Sequence, residues 1–180
     1  MDRSYQYIQI KSHWLNLIAI LFLLFAVGCS PQIPKPTSDS TPPTLRWSVL
    51  NKADNSTQNI SGSGTVTAHI GAFYVVTFFA EDPQGIHKIN LAANKSWQCT
   101  SGDTAQNHGP SIGNTDSNTL QPDSQGNVVT SAFLIQNADI GPFDCQSGYT
   151  FNGGGLTFSG GGENYFNGTT QATLAFKVSP

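Results

Sequence analysis

Apolar residues in this chain recur at every second position, in runs too short for helices. In TLRWSVL (44–50), Leu45, Trp47 and Val49 alternate with Arg46 and Ser48; in GTVTAHI (64–70), Val66, Ala68 and Ile70 alternate with Thr65, Thr67 and His69. TQATLAFKVS (170–179) sets Ala172, Leu174, Phe176 and Val178 against Thr173, Ala175 and Lys177. A period of two puts successive side chains on opposite faces of a pleated ribbon, so each run predicts a strand with one buried face. AFYVVTFFA (72–80) and VVTSAFLI (128–135) are apolar on both faces, which suits central strands. Nothing after residue 43 sustains an apolar period of 3.6 residues. The expectation is one all-β domain over 44–180, long enough to bury a core.

The turn chemistry agrees. EDPQG (81–85) places Pro83 and Gly85 where a tight turn between strands wants them. YTF-NGGG-LTF (149–158) predicts a hairpin across a glycine loop, and the second triplet, Gly160–Gly162, predicts a further loop.

The first 28 residues have a different character. Arg3 and Lys11 precede LNLIAILFLLFAVG (15–28), which holds no charge and is shorter than the ~20 residues a spanning helix needs. A basic start, a short apolar run and small residues at its end describe a secretory signal. Ala26-Val27-Gly28-Cys29 resembles the bacterial lipobox, although Ala26 stands where that motif usually has leucine. The resemblance implies cleavage after Gly28, diacylglycerol on the Cys29 sulfur, a further acyl chain such as palmitate on the new amine, and a partner that is the membrane itself. Several acyl chains anchor stably where one binds only marginally. Ser30 stands where an aspartate would hold such a lipoprotein in the inner membrane, so the resemblance favours the outer membrane. Residues 29–43 hold five prolines and no apolar period, which predicts an extended spacer of about 40 Å.

TPPTLRWSVL through FYVVTFFAEDPQGIHKINL resembles the first half of a bacterial immunoglobulin-like domain. The residues that carry the resemblance are Ala80, Asp82, Gly85, Ile86, Ile89 and Leu91, after a T-P-P opening. It implies an antiparallel two-sheet sandwich that presents loops, and it implies no ligand. The polar stretch from Ser96 to Asn127 is longer than a sandwich loop ordinarily runs. Residues 100–127 hold Ile112 and Leu120 among Asn, Asp, Ser, Gly and Gln, which predicts a surface excursion.

With Cys29 acylated, Cys99 and Cys145 form an even pair in an exported chain, and such pairs are bridged as a rule. The bridge would staple the long polar stretch.

Chemistry-bearing patterns are sparse. Gly109-Pro110-Ser111-Ile112-Gly113, preceded by His108, fits G-x-S-x-G, but a nucleophile elbow needs a strand before it and a helix after it. The flanks SGDTAQNH and NTDSNTLQ are neither, so no catalytic residue is expected. Asn114, Asp116 and Asn118 alternate as at the start of a calcium loop, yet Thr119 and Gln125 stand where an EF-hand has glycine and glutamate. Asp103, Asp116 and Asp123 remain as a looser calcium candidate, against the simpler reading of a solvated turn region. His69 and His87 have no second ligand at metal spacing, and no cofactor is expected. Trp97, Tyr149 and Tyr165 are the aromatics that a carbohydrate-binding module could stack on sugar rings; core packing competes for them.

Beyond Cys29, six Lys and Arg stand against ten Asp and Glu, a net −4 with no basic patch, which excludes nucleic acid as a partner. The sequence therefore reads as a lipid-anchored extracytoplasmic module with a binding or envelope-structural role, not an enzyme. A carbohydrate-binding module and, behind it, a loop-based serine hydrolase are the alternatives.

Overall fold

The computed structural model describes residues 32–34 and 41–178. Residues 1–28, with the signal and lipobox, and Cys29 lie outside the described residues. Eleven strands and no helix are found among those described. They are β1 (Gln32–Pro34), β2 (Thr44–Asn51), β3 (Thr57–Ser61), β4 (Gly64–Ala68), β5 (Phe73–Glu81), β6 (Ile86–Ser101), β7 (Thr104–Thr119), β8 (Asn127–Val129), β9 (Ser131–Asp139), β10 (Thr150–Asn164) and β11 (Thr169–Val178). One sheet runs β3-β2-β5-β9 and the other β4-β11-β10-β6-β7, while β1 and β8 pair by themselves. Every pairing is antiparallel except that of β4 with β11.

The two sheets face each other in a sandwich, and the alternation read from sequence is what fills it. Leu45, Trp47 and Val49 of β2, Tyr74, Val76, Phe78 and Ala80 of β5, and Leu174 and Phe176 of β11 are all buried in one core. At its centre the rings of Trp47 and Phe78 lie 4.4 Å apart, and the Trp47 Nε1–H donates to the Gly62 carbonyl at 2.8 Å. The indole thus buries its carbon surface without stranding its polar tip.

Three expectations are corrected. Thr150–Asn164 is one continuous strand in the middle of its sheet, with both glycine triplets inside it, in place of the expected hairpin and loop. The reason is the opposite sheet. A Cβ on Gly160 would come within 2.5–2.7 Å of three atoms of the Phe78 ring, and one on Gly162 would meet Leu45 and Ala80. Here glycine makes room for a neighbour instead of making a turn. Second, most of the polar stretch 100–127 is strand β7, which pairs with β6 through a two-residue turn at Gly102-Asp103. Gly102 takes a φ of +56° there, as the first position of a tight hairpin turn asks. Third, VVTSAFLI breaks at Thr130 into β8 and β9, and β9 is the edge of its sheet, not a central strand.

One end of the sandwich is tied by a buried polar pair. The Asn164 Nδ2 group donates to the Thr41 carbonyl at 2.8 Å and to Asp82 Oδ2 at 3.3 Å, and its Oδ1 accepts from the backbone of Phe166 and Gly168. Asp82 Oδ1 accepts from the Gln84 amide at 2.7 Å and closes the β5–β6 turn. The proline-rich segment, expected to stand free as a spacer, is therefore fastened to the domain at Gln32–Pro34 and at Thr41.

Candidate functional site

β6, β7 and β10 are 15 or 16 residues long, against 8 or 9 for β2, β5 and β9, so the larger sheet outreaches the smaller. The inner face of its overhang carries Lys95, Trp97 and Cys99, and the segment between β9 and β10 covers them. Cys99 and Cys145 are bridged, with Cα atoms 5.8 Å apart. Lys95 Nζ donates to the Pro142 carbonyl at 2.7 Å, and Trp97 Nε1 donates to that of Asp144 at 3.1 Å. The Trp97 ring stacks on His108 at 4.9 Å and tilts against Phe143, which in turn stacks on Phe151 at 4.8 Å. Lys95 Nζ lies 4.8 Å from the Phe143 ring centroid, a cation over an aromatic face. The expected bridge is present, and it pins one connection to the sheet end through a packed aromatic cluster.

The hydrolase pattern has no elbow. Gly109 to Gly113 lies within β7, with Ser111 opposite Lys95 and His108 opposite Trp97 in the ladder. His108 serves as a packing ring; its Nε2 is enclosed and meets no hydrogen-bond partner among the described residues.

The three candidate calcium carboxylates are dispersed. Asp103 sits in the β6–β7 turn, and Asp116 lies some 13 residues along β7, about 40 Å at strand rise. Asp116 Oδ2 accepts from Gln136 Nε2 at 2.6 Å. Asp123 is taken up by its own turn: Oδ1 accepts from the amides of Gln125 and Asn127, and Oδ2 from Asn127 Nδ2. The Asn127 side chain, with these backbone donors, holds the Asp123 carboxyl below its ordinary 3.8. Among the described residues no three His, Cys, Asp or Glu are grouped to hold a metal ion.

The aromatics do not form one platform either. Trp97 lies at the bridged end. Tyr165 is at the other, its hydroxyl donating to the Leu120 carbonyl and its ring 5.0 Å from His87. β6 pairs Trp97 with Gly154 and Ile86 with Asn164, so the two ends stand about 36 Å apart. Tyr149 is half-buried near the bridge.

Two surfaces escaped the sequence reading. On the outer face of the larger sheet, Asn90, Ala92, Asn94, Ser96 and Gln98 of β6 lie beside Gly161, Ser159, Thr157 and Gly155 of β10, and Gln171, Thr173 and Ala175 of β11 complete the face. Lys88 and Glu163 stand at one end of it and Lys177 at the other, with no charge between on these three strands. Asn90, Ser159, Gln171 and Thr173 rim a shallow concavity of ≈ 220 Å³ floored by Gly160. The outer face of the smaller sheet differs: Phe133 and Ile135 of β9 are 57% and 54% exposed. The Asn and Gln outward on β6 and the Gln136-Asn137 that ends the apolar run were the available signals.

No family model matches the chain, and no curated protein matches it.

Proposed function

We propose that the chain is a lipid-anchored, extracytoplasmic binding module of immunoglobulin-like topology that catalyses nothing. The observation that carries this is the Cys99–Cys145 bridge within a chain whose start reads as a lipobox signal, since disulfides persist in oxidising compartments outside the cytoplasm. Cys29 would carry the lipid, and Ser30 favours the outer membrane. The immunoglobulin-like reading is supported by strand order. β2, β5 and β9 match strands A, B and E; β6, β10 and β11 match C, F and G; β7 extends the second sheet as a C′ strand does. The departures are the bridge, which joins the end of the C-like strand to the connection after the E-like one, and the core tryptophan, which is on the A-like strand.

The Cys29→Ser chain tests the anchor. The unaltered protein should pellet with membranes, resist a high-salt wash and be freed by detergent, whereas the variant should leave the pellet. A variant that still pellets after the wash rejects lipid attachment at Cys29.

The outer face of the larger sheet favours a second reading, a glycan-binding module. Amide and hydroxyl groups around the ≈ 220 Å³ concavity suit neutral sugar hydroxyls, and the three aromatics named earlier are not needed for it. A glycan array probed with the full chain, with Ser159→Arg as control, decides it. Binding lost in the variant supports the reading; no binding, or binding the variant keeps, removes it.

A further inference from the structure

β9 ends its sheet, and no strand lies on its other side among the described residues. Exposed strand edges are ordinarily blunted by brevity, Lys, Pro or bulges. The remaining edges follow that rule. β3 and β4 have five residues each, and β7 carries Pro110 and two register shifts against β6. β9 has nine residues, SAFLIQNAD, with neither Lys nor Pro. On the same outer face Phe79 of the neighbouring β5 is roofed by the Arg46 guanidinium, 3.7 Å from the ring centroid and held by Glu81 at 2.9 Å. Phe133 and Ile135 beside it are left uncovered.

We infer that β9 is where two copies of this chain pair, antiparallel about a two-fold axis through Leu134. The register argues for a second copy. Opposite residues in an antiparallel pair share a face, so the axis must pass through a residue. With the axis at Leu134, Phe133 of each copy faces Ile135 of the other on the outer side, and Leu134 faces its own copy on the inner side. Axes at Phe133, Ile135 or Gln136 each set at least one of these apolar side chains against Ser, Asn, Gln or Asp. With the axis at Leu134 the ladder runs from Ser131 to Asn137, so Asp139, the one charge on β9, lies past its end and like charges never oppose. The strand is complementary to itself, which is what an isologous interface requires. The two four-stranded sheets become one of eight, and the edge backbone groups of residues 131–137 gain partners.

Cysteine crosslinking reads the register directly, on full-length chains in mild detergent with the unaltered chain as background. Phe133→Cys and Ile135→Cys lie outside the core, so the fold survives them. Mixed and oxidised, the two differently tagged chains should crosslink to each other, and neither to itself, because identical positions sit on diagonals about 8 Å apart, beyond disulfide reach. Sedimentation should show a dimer that Ile135→Lys weakens about tenfold or more. Self-crosslinking equal to mixed crosslinking overturns the register. A chain that stays monomeric up to about 100 μM, whatever other partner covers β9, overturns the inference.

Discussion

Gly160→Ala should destabilise the domain, although alanine is ordinarily the better residue inside a strand. The added Cβ would sit 2.5 Å from Phe78 Cζ and 2.6 and 2.7 Å from its two Cε atoms. That ring has no exposed surface and stands 4.4 Å from Trp47, itself fully buried, so it has nowhere to go. Overpacking of this kind costs about 1–3 kcal/mol, and the lower entropy of the unfolded alanine chain offsets about 0.4–1. The net loss is about 1–2 kcal/mol, or roughly 3–8 °C of Tm for a domain of this size. Gly161→Ala is the matched control. Its Cβ meets Asn90 Oδ1 at 2.6 Å, the end of an exposed side chain that can swing aside, so that variant should be neutral or slightly stabilised. Thermal unfolding of both variants, followed by circular dichroism with the disulfide intact, makes the comparison. Adding Phe78→Leu to Gly160→Ala should cost less than the two single losses summed, because the clash has been removed. Equal stability of the two alanine variants would refute the close-packing account of the glycine strand.

Reduction of Cys99–Cys145 reopens a loop with a sequence separation of 46, which chain entropy puts at about 4 kcal/mol; the Tm should fall by 10 °C or so, and an unchanged melt would refute the staple. Asn164→Ala removes the acceptor of the Phe166 and Gly168 amides, so a loss of about 2–4 kcal/mol is expected in urea unfolding. Asp123 has a folded pKa below its ordinary 3.8, so its contribution is present above that value and lost as pH falls through the lower folded one. Asp123→Asn should accordingly flatten the acid limb of stability below about pH 3.8, and a limb as steep as before would remove Asp123 from it. Millimolar Ca²⁺ should leave the Tm unchanged, because Asp103, Asp116 and Asp123 lie apart; a rise abolished by Asp116→Ala would contradict this.

Residue patterning alone marks the strands whose side chains bury apolar surface on one face. β2, β4, β5 and β11 each bury one face, and period-two burial writes itself into the residues. The bridge was legible as well, from cysteine parity in a chain whose start reads as an export signal. The tertiary structure alone decided β7, β10 and the edge position of β9. β7 is polar on both faces because its place comes from the backbone ladder to β6, which any side chain permits, and so its composition reads as loop. β10 has glycines where the opposite sheet presses Phe78 and Leu45 against it, a constraint belonging to residues far away in the chain. β9 carries the apolar pattern of a central strand, and only the count of strands beside it leaves Phe133 and Ile135 in solvent. Local sequence records what a side chain must avoid; which neighbour arrives is settled when the sheets close on each other.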